Sequence, residues 1–243
     1  MKHDIAALRE RWNQRAQENA MYYIHAERDD WSEAEFLASG EADVARLVDP
    51  VLGLLPQPAA ASTALDIGCG LGRLTRALAQ RFRQAEGIDI SPEMVERAER
   101  LAPPLPANVH YQVCDGSGAI PLAAQSIDFA FSYIVLQHVP TLRIIETYFT
   151  ELARILTPGG LALIQLNTQR RPLVARLQIG LVPSRKVPLL QRKVKIKLRP
   201  HSTMGVVVDA TQCARLATRH QLRLEQMAGA ATQYTWLTLR KPV

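Results

Sequence analysis

Residues 64–79 read ALDIGCGLGRLTRALA, and their pattern predicts a strand, a glycine-rich turn and the start of a helix. The run 63–67 is short and mostly apolar, as a strand buried on both faces of a parallel sheet is, with Asp66 near its carboxyl end. Gly68, Gly70 and Gly72 follow at alternate positions, where a missing Cβ permits positive φ and the close approach of a ligand. A helix over about 71–82 turns its free N–H groups and positive dipole end back on that turn, which predicts a polar or anionic ligand there.

The spacing bears on which ligand. A dinucleotide fingerprint is G-x-G-x-x-G with a pyrophosphate on the helix N-terminus, whereas this chain has D-x-G-x-G-x-G with the acid first. The acid would repel a pyrophosphate and suits a ligand carrying an ammonium group as well as a carboxylate. Taken alone, the glycine triplet also fits a different α/β nucleotide site. The segment resembles motif I of class I S-adenosylmethionine-dependent methyltransferases, of the small-molecule, type 11-like kind. The resemblance implies that Asp66, Gly68, Cys69, Gly70 and Gly72 hold the amino-acid end of S-adenosylmethionine.

A chain of 243 residues with 47% hydrophobic content suits one globular domain with a large core. Cys69, Cys114 and Cys213 are odd in number, lack paired spacing and sit in no metal-cluster pattern, which favours a reducing cytosol. The N-terminus MKHDIAALRERW has no apolar signal region, and no run approaches the roughly 18 apolar residues of a membrane span. A cytoplasmic protein is expected, with peripheral membrane contact as an option. The net charge of +6 comes from residues 168–203, which hold ten Lys and Arg and no Asp or Glu.

Residues 1–58 are expected to form a helical lid or appendage, and 59–243 the methyltransferase-like domain with 168–203 as a basic insertion. Ile5, Leu8 and Trp12 form a helical stripe within 4–17. Ser32 with Glu35 is a capping-box pattern for a short helix, and a further helix is expected over 41–54. Tyr22, Tyr23 and Trp31 either pack this appendage onto the domain or form a lid over the pocket, as N-terminal helices do in similar methyltransferases.

Residues 85–90 (AEGIDI) read as a second buried strand ending in Asp89, where an acid can accept hydrogen bonds from two ribose hydroxyls. Ser91-Pro92 then starts a helix with a cap and a first-position proline. Residues 109–114 make a third strand before Asp115-Gly116, and residues 127–133 a fourth that runs into IVLQHV. The resemblance implies that Ile90 and Met94 flank the adenine, that Asp115 with Gly116 takes its amino group, and that Tyr133 borders the cofactor. From the residues alone, Met94 is equally a core side chain and Asp115-Gly116 a plain turn. A helix over 141–156, a turn at Pro158-Gly159-Gly160, a strand over 161–166, a helix over 209–220 capped by Asp209, and strands over 222–227 and 232–239 follow. The expected fold is α/β: a Rossmann-like, doubly wound seven-stranded sheet with a terminal antiparallel hairpin and an N-terminal helical lid.

Such a domain would transfer a methyl group to a small-molecule, glycan or lipid-linked acceptor, with oxygen as the expected atom. Two other readings are quinone or lipid-headgroup methylation at a membrane, and a non-catalytic S-adenosylmethionine-binding regulatory subunit. His138, just past the fourth strand, is the candidate general base because histidine titrates near neutrality; its alternative is a pocket wall. Gln137, Tyr133 and Tyr23 are candidates to line the acceptor pocket, and no metal is expected. Within 168–203, a helix over 173–182 and the alternating KVKIKL at 193–198 are expected. They form either an antiparallel extension or dimer arm with solvated lysines, or a contact for an acidic acceptor or anionic membrane. Nucleic acid is disfavoured, because no aromatic residues interleave the cations.

Overall fold

Strands that bury every residue need cover on both faces, and two here do so: β1 (Thr63–Ile67) and β4 (Ile127–Ser132). The structure, a computed structural model, describes residues 2–169 and 205–243; the elements expected at 173–182 and 193–198 lie outside the described residues. β1 and β4 pair side by side in a seven-stranded sheet that also holds β2 (Gln84–Asp89), β3 (Val109–Val113), β5 (Leu156–Leu166), β6 (Arg223–Ala228) and β7 (Thr235–Arg240). Their order is β3-β2-β1-β4-β5-β7-β6. β1 to β5 are parallel, and β7 runs antiparallel to both β5 and β6. This is the expected doubly wound α/β sheet with its terminal hairpin. The order reverses between β1 and β4, and a crevice opens at the carboxyl ends of the strands at such a switch point.

Helices cover both faces. Against α5 (Leu142–Ile155) and α6 (Ala210–Arg219) lie Leu65, Ile67, Ala130 and Ile164. On the other face Phe82, Phe129, Phe131 and Trp236 stack in sequence, with ring centroids 5.4, 6.4 and 6.0 Å apart. α3 (Arg73–Leu78) buries Arg76 against the end of α4 (Pro92–Arg100). Its guanidinium donates to the Ala98, Leu101 and Pro103 carbonyls at 3.1, 2.8 and 2.7 Å, a cation on the negative end of a helix.

Several boundaries differ from expectation. α1 (Lys2–Ile24) continues beyond residue 17, but its backbone breaks at Asn19, whose side chain accepts from the Tyr22 N–H and so restarts the helix with an internal cap. α2 (Glu33–Leu47) carries the Ser32/Glu35 capping box and absorbs the start of the helix expected at 41–54, which tightens into a 3-10 turn at Asp49–Leu54, where Pro50 enters. α3 is half the expected length. β5 begins five residues early: Leu156 already pairs with Ile127, and Pro158-Gly159-Gly160 is a bulge inside the strand rather than a turn before it.

Candidate functional site

At the carboxyl ends of β1, β2 and β4, beneath α1, lies a cavity with about 950 Å³ of empty space counting its open mouth. The glycine turn contributes Gly68, Cys69 and Gly70; β2 and its exit contribute Asp89, Ile90 and Met94; β3 contributes Cys114 and Gly116. Tyr133, Ile134, Val135, His138 and Val139 come from the exit of β4, and Leu8, Trp12, Tyr23 and Ile24 from α1.

The glycine turn is built for close approach. Gly70 sits at φ +54°, and a Cβ there would lie 2.7 Å from Ile24 of α1; a Cβ on Gly72 (φ +78°) would lie 1.9 Å from the Tyr111 hydroxyl. The Gly68 and Cys69 N–H groups bond the Ile88 carbonyl at 2.7 and 3.0 Å, and the Gly72 N–H bonds the Cys69 carbonyl at 2.8 Å. These amides therefore hold the turn together rather than pointing at a ligand. Gly72 itself is the left-handed N-cap of α3 and lies off the cavity wall.

Asp89 closes the turn from β2. One carboxylate oxygen accepts from the Gly70 N–H at 2.9 Å and the other from the Ser91 N–H at 2.8 Å. Each oxygen keeps a second lone pair. The carboxylate is only 9% exposed yet lines the cavity, so its two acceptor oxygens fit the hydroxyl donors of a ribose diol and hence the expected S-adenosylmethionine. Burial pushes its pKa up, against the pull of the Ser91 and Gly70 N–H groups.

Asp66 lies elsewhere. It is 1% exposed, lies off the cavity wall and accepts a 2.7 Å hydrogen bond from the Thr75 hydroxyl. Burial pushes its pKa up to about 6.

Met94 is 1% exposed and lines the cavity, serving the core and the wall at once. Asp115 is exposed and off the wall: one of its oxygens accepts from both the Ser117 N–H and hydroxyl, at 2.8 and 2.6 Å, in a turn of its own.

His138 lines the cavity with its ring edge-on to Trp12 at 5.8 Å. A chain of amides leads to it. The Ile134 N–H can only donate, so it fixes Gln165 Oε1 as the acceptor at 2.9 Å; Gln165 Nε2 then donates to Gln137 Oε1 at 3.3 Å. Gln137 Nε2 lies 3.4 Å from His138 Nε2, and as a donor it would occupy the single lone pair of that nitrogen. Gln137 itself is buried behind the wall rather than on it.

Of the three aromatic candidates in the appendage, Tyr23 lines the cavity and donates to Glu18 at 2.6 Å. Tyr22 packs edge-on against Tyr23 off the wall. Trp31 donates to the His25 carbonyl at 2.9 Å and packs against Phe36, likewise away from the cavity.

Residues 65–164 match the methyltransferase domain family. This stretch runs from β1 through most of β5 and carries the turn, Asp89 and His138. Over those residues the chain is similar to a methyltransferase domain. The chain is 34% identical to the 2-methyl-6-phytyl-1,4-hydroquinone methyltransferase of Synechocystis sp. over 45% of its length and 33% of that protein's. It is 32% identical to the trans-aconitate 2-methyltransferase of Azoarcus sp. over 56% of its length and 50% of that protein's. The chain thus spans half or less of the length of these relatives. Its fold is that of the Synechocystis magnesium protoporphyrin IX methyltransferase, solved with bound S-adenosylhomocysteine: TM-score 0.62, 19% identity, 97% of this chain and 99% of that one.

Several wall residues of the methyltransferase domain and its appendage escaped the sequence reading. Leu8 and Trp12 were legible as a stripe, but a stripe says only that a face is buried. Arg73 follows the last glycine and is 2% exposed; it donates to Asp43 of α2 at 2.8 Å, and Arg46 shares that carboxylate at 2.6 Å. Tyr148 had one local signal, a polar-tipped ring on the apolar face of α5.

Proposed function

We propose that this chain is an S-adenosylmethionine-dependent methyltransferase acting at an oxygen of a small-molecule acceptor. The observation that carries it is Asp89, a nearly buried carboxylate on the cavity wall whose two oxygens are oriented by the glycine turn and by Ser91 and still have lone pairs for a ribose. S-adenosylmethionine would supply a methyl group on an already activated sulfonium. The chain has to hold and align it: Asp89 binds the ribose, Ile90 and Met94 flank the adenine, and the glycine turn and Tyr133 border the amino-acid end. Alignment contributes up to roughly 7–11 kcal/mol in such displacements. His138 takes the acceptor's proton, a contribution of about 10²–10⁴-fold. Residues 1–58 act as a lid, with Leu8, Trp12, Tyr23 and Ile24 excluding water.

The acceptor end, between Trp12, Ile134, Val135 and Val139, is apolar and suits an acceptor with an apolar or aromatic face. The hydroquinone and aconitate in the relatives' names are small organic acceptors, which supports the class and leaves its member open. The test is methyl-labelled S-adenosylmethionine incubated with the protein and a metabolite extract: label in a small molecule is expected. A protein that binds the cofactor and labels nothing is a binding subunit instead.

The ten cations of 168–203 favour a second reading for the same enzyme, in which it meets anionic lipid or an acidic acceptor at that segment. No helix among the described residues is long and apolar enough to cross a membrane.

A further inference from the structure

The buried face of α5 carries Ile144, Ile145, Phe149, Leu152, Ile155 and, among them, Tyr148. Tyr148 is 5% exposed and lies on the cavity wall. Its hydroxyl makes no hydrogen bond among the described residues, and it is not one of the polar atoms sealed in protein, so it faces the cavity. A phenol open to the cavity is available to a ligand group at hydrogen-bond distance. Burial holds the phenol pKa far up, and the nearby Cys114, Asp89 and Asp115 groups push the same way, so the hydroxyl stays neutral. Asp89 and Cys114 line the same cavity as Tyr148.

The side chain that the family resemblance assigns to the adenine amino group is not on that wall. Asp115 is exposed, and one of its oxygens is held by Ser117. We propose that in this chain the Tyr148 hydroxyl, and not the Asp115 carboxylate, is the side chain that accepts a hydrogen bond from the adenine amino group of the cofactor. The assignment rests on the cofactor reading above and makes Tyr148 a specificity-determining residue for that reaction.

The test is calorimetric binding, independent of turnover, of S-adenosylhomocysteine and of its analogue lacking the adenine amino group. Tyr148→Phe keeps the ring and removes the oxygen; Asp115→Asn keeps the acceptor that Ser117 uses. The wild type is expected to prefer S-adenosylhomocysteine over the analogue by about 5–10-fold, the scale of one hydrogen bond. Tyr148→Phe should bind the two alike, with a melting temperature no lower than the wild type's, and Asp115→Asn should keep the full preference. A preference retained in Tyr148→Phe, or lost in Asp115→Asn, overturns this proposal alone. Failure of the wild type to bind S-adenosylhomocysteine at all overturns the cofactor reading and this proposal with it.

Discussion

Asp66 is ionised at neutral pH in a place that disfavours charge. Its pKa rises from 3.8 to about 6, chiefly through burial, with the Thr75 hydroxyl and Arg73 pulling it back down. Because the folded-state value lies above the unfolded one, the neutral acid favours the fold: that contribution is complete below about pH 4 and is lost as pH rises through about 6. The difference corresponds to roughly 3 kcal/mol. Asp66→Asn preserves an acceptor for Thr75 and should raise the melting temperature at pH 8, with the advantage vanishing below pH 4. Equal melting at pH 8 would show that the carboxylate is not strained there. His138 makes a different claim at the same scale. His138→Ala should lower kcat about 10²-fold or more while leaving S-adenosylhomocysteine affinity nearly unchanged. Near wild-type turnover from about pH 6 to 9 would remove it as the base.

At the scale of elements, α1 and α2 are tied to the glycine turn by charge. Asp43 of α2 holds the buried Arg73 and the more exposed Arg46, and the His25 ring just past α1 lies 4.0 Å from the same carboxylate. Asp43→Ala leaves Arg73 buried without its ion-pair partner and should cost about 3–5 kcal/mol in denaturant unfolding. A loss below 1 kcal/mol would mean that Arg73 reaches water. What was legible in the sequence follows the same division. β1, the Ser32/Glu35 box and the Asp209 cap could be read because strand burial and side-chain capping are local chemistry. The early start of β5 could not, since Leu156 is a strand residue only by pairing with Ile127. Nor could the placement of Asp66 and Asp115 off the wall, which is decided by Thr75 and Ser117 competing for their oxygens.

At the scale of the molecule, the cations of 168–203 set the net charge, and the remainder of the chain is slightly acidic. If an anionic surface meets them, replacing Lys193, Lys195 and Lys197 by Gln should weaken sedimentation with anionic vesicles by about 1 kcal/mol per charge. Added salt should weaken the wild type in the same way. Identical sedimentation of the two proteins would mean those lysines are merely solvated. The central claim is that the cavity between the glycine turn, Asp89 and α1 holds S-adenosylmethionine, and isothermal titration with S-adenosylhomocysteine tests it most directly. One site per chain with micromolar affinity, about −8 kcal/mol, is predicted, abolished in a Gly70→Val variant whose circular dichroism remains native. No binding to the wild type, or equal binding to that variant, would contradict the account.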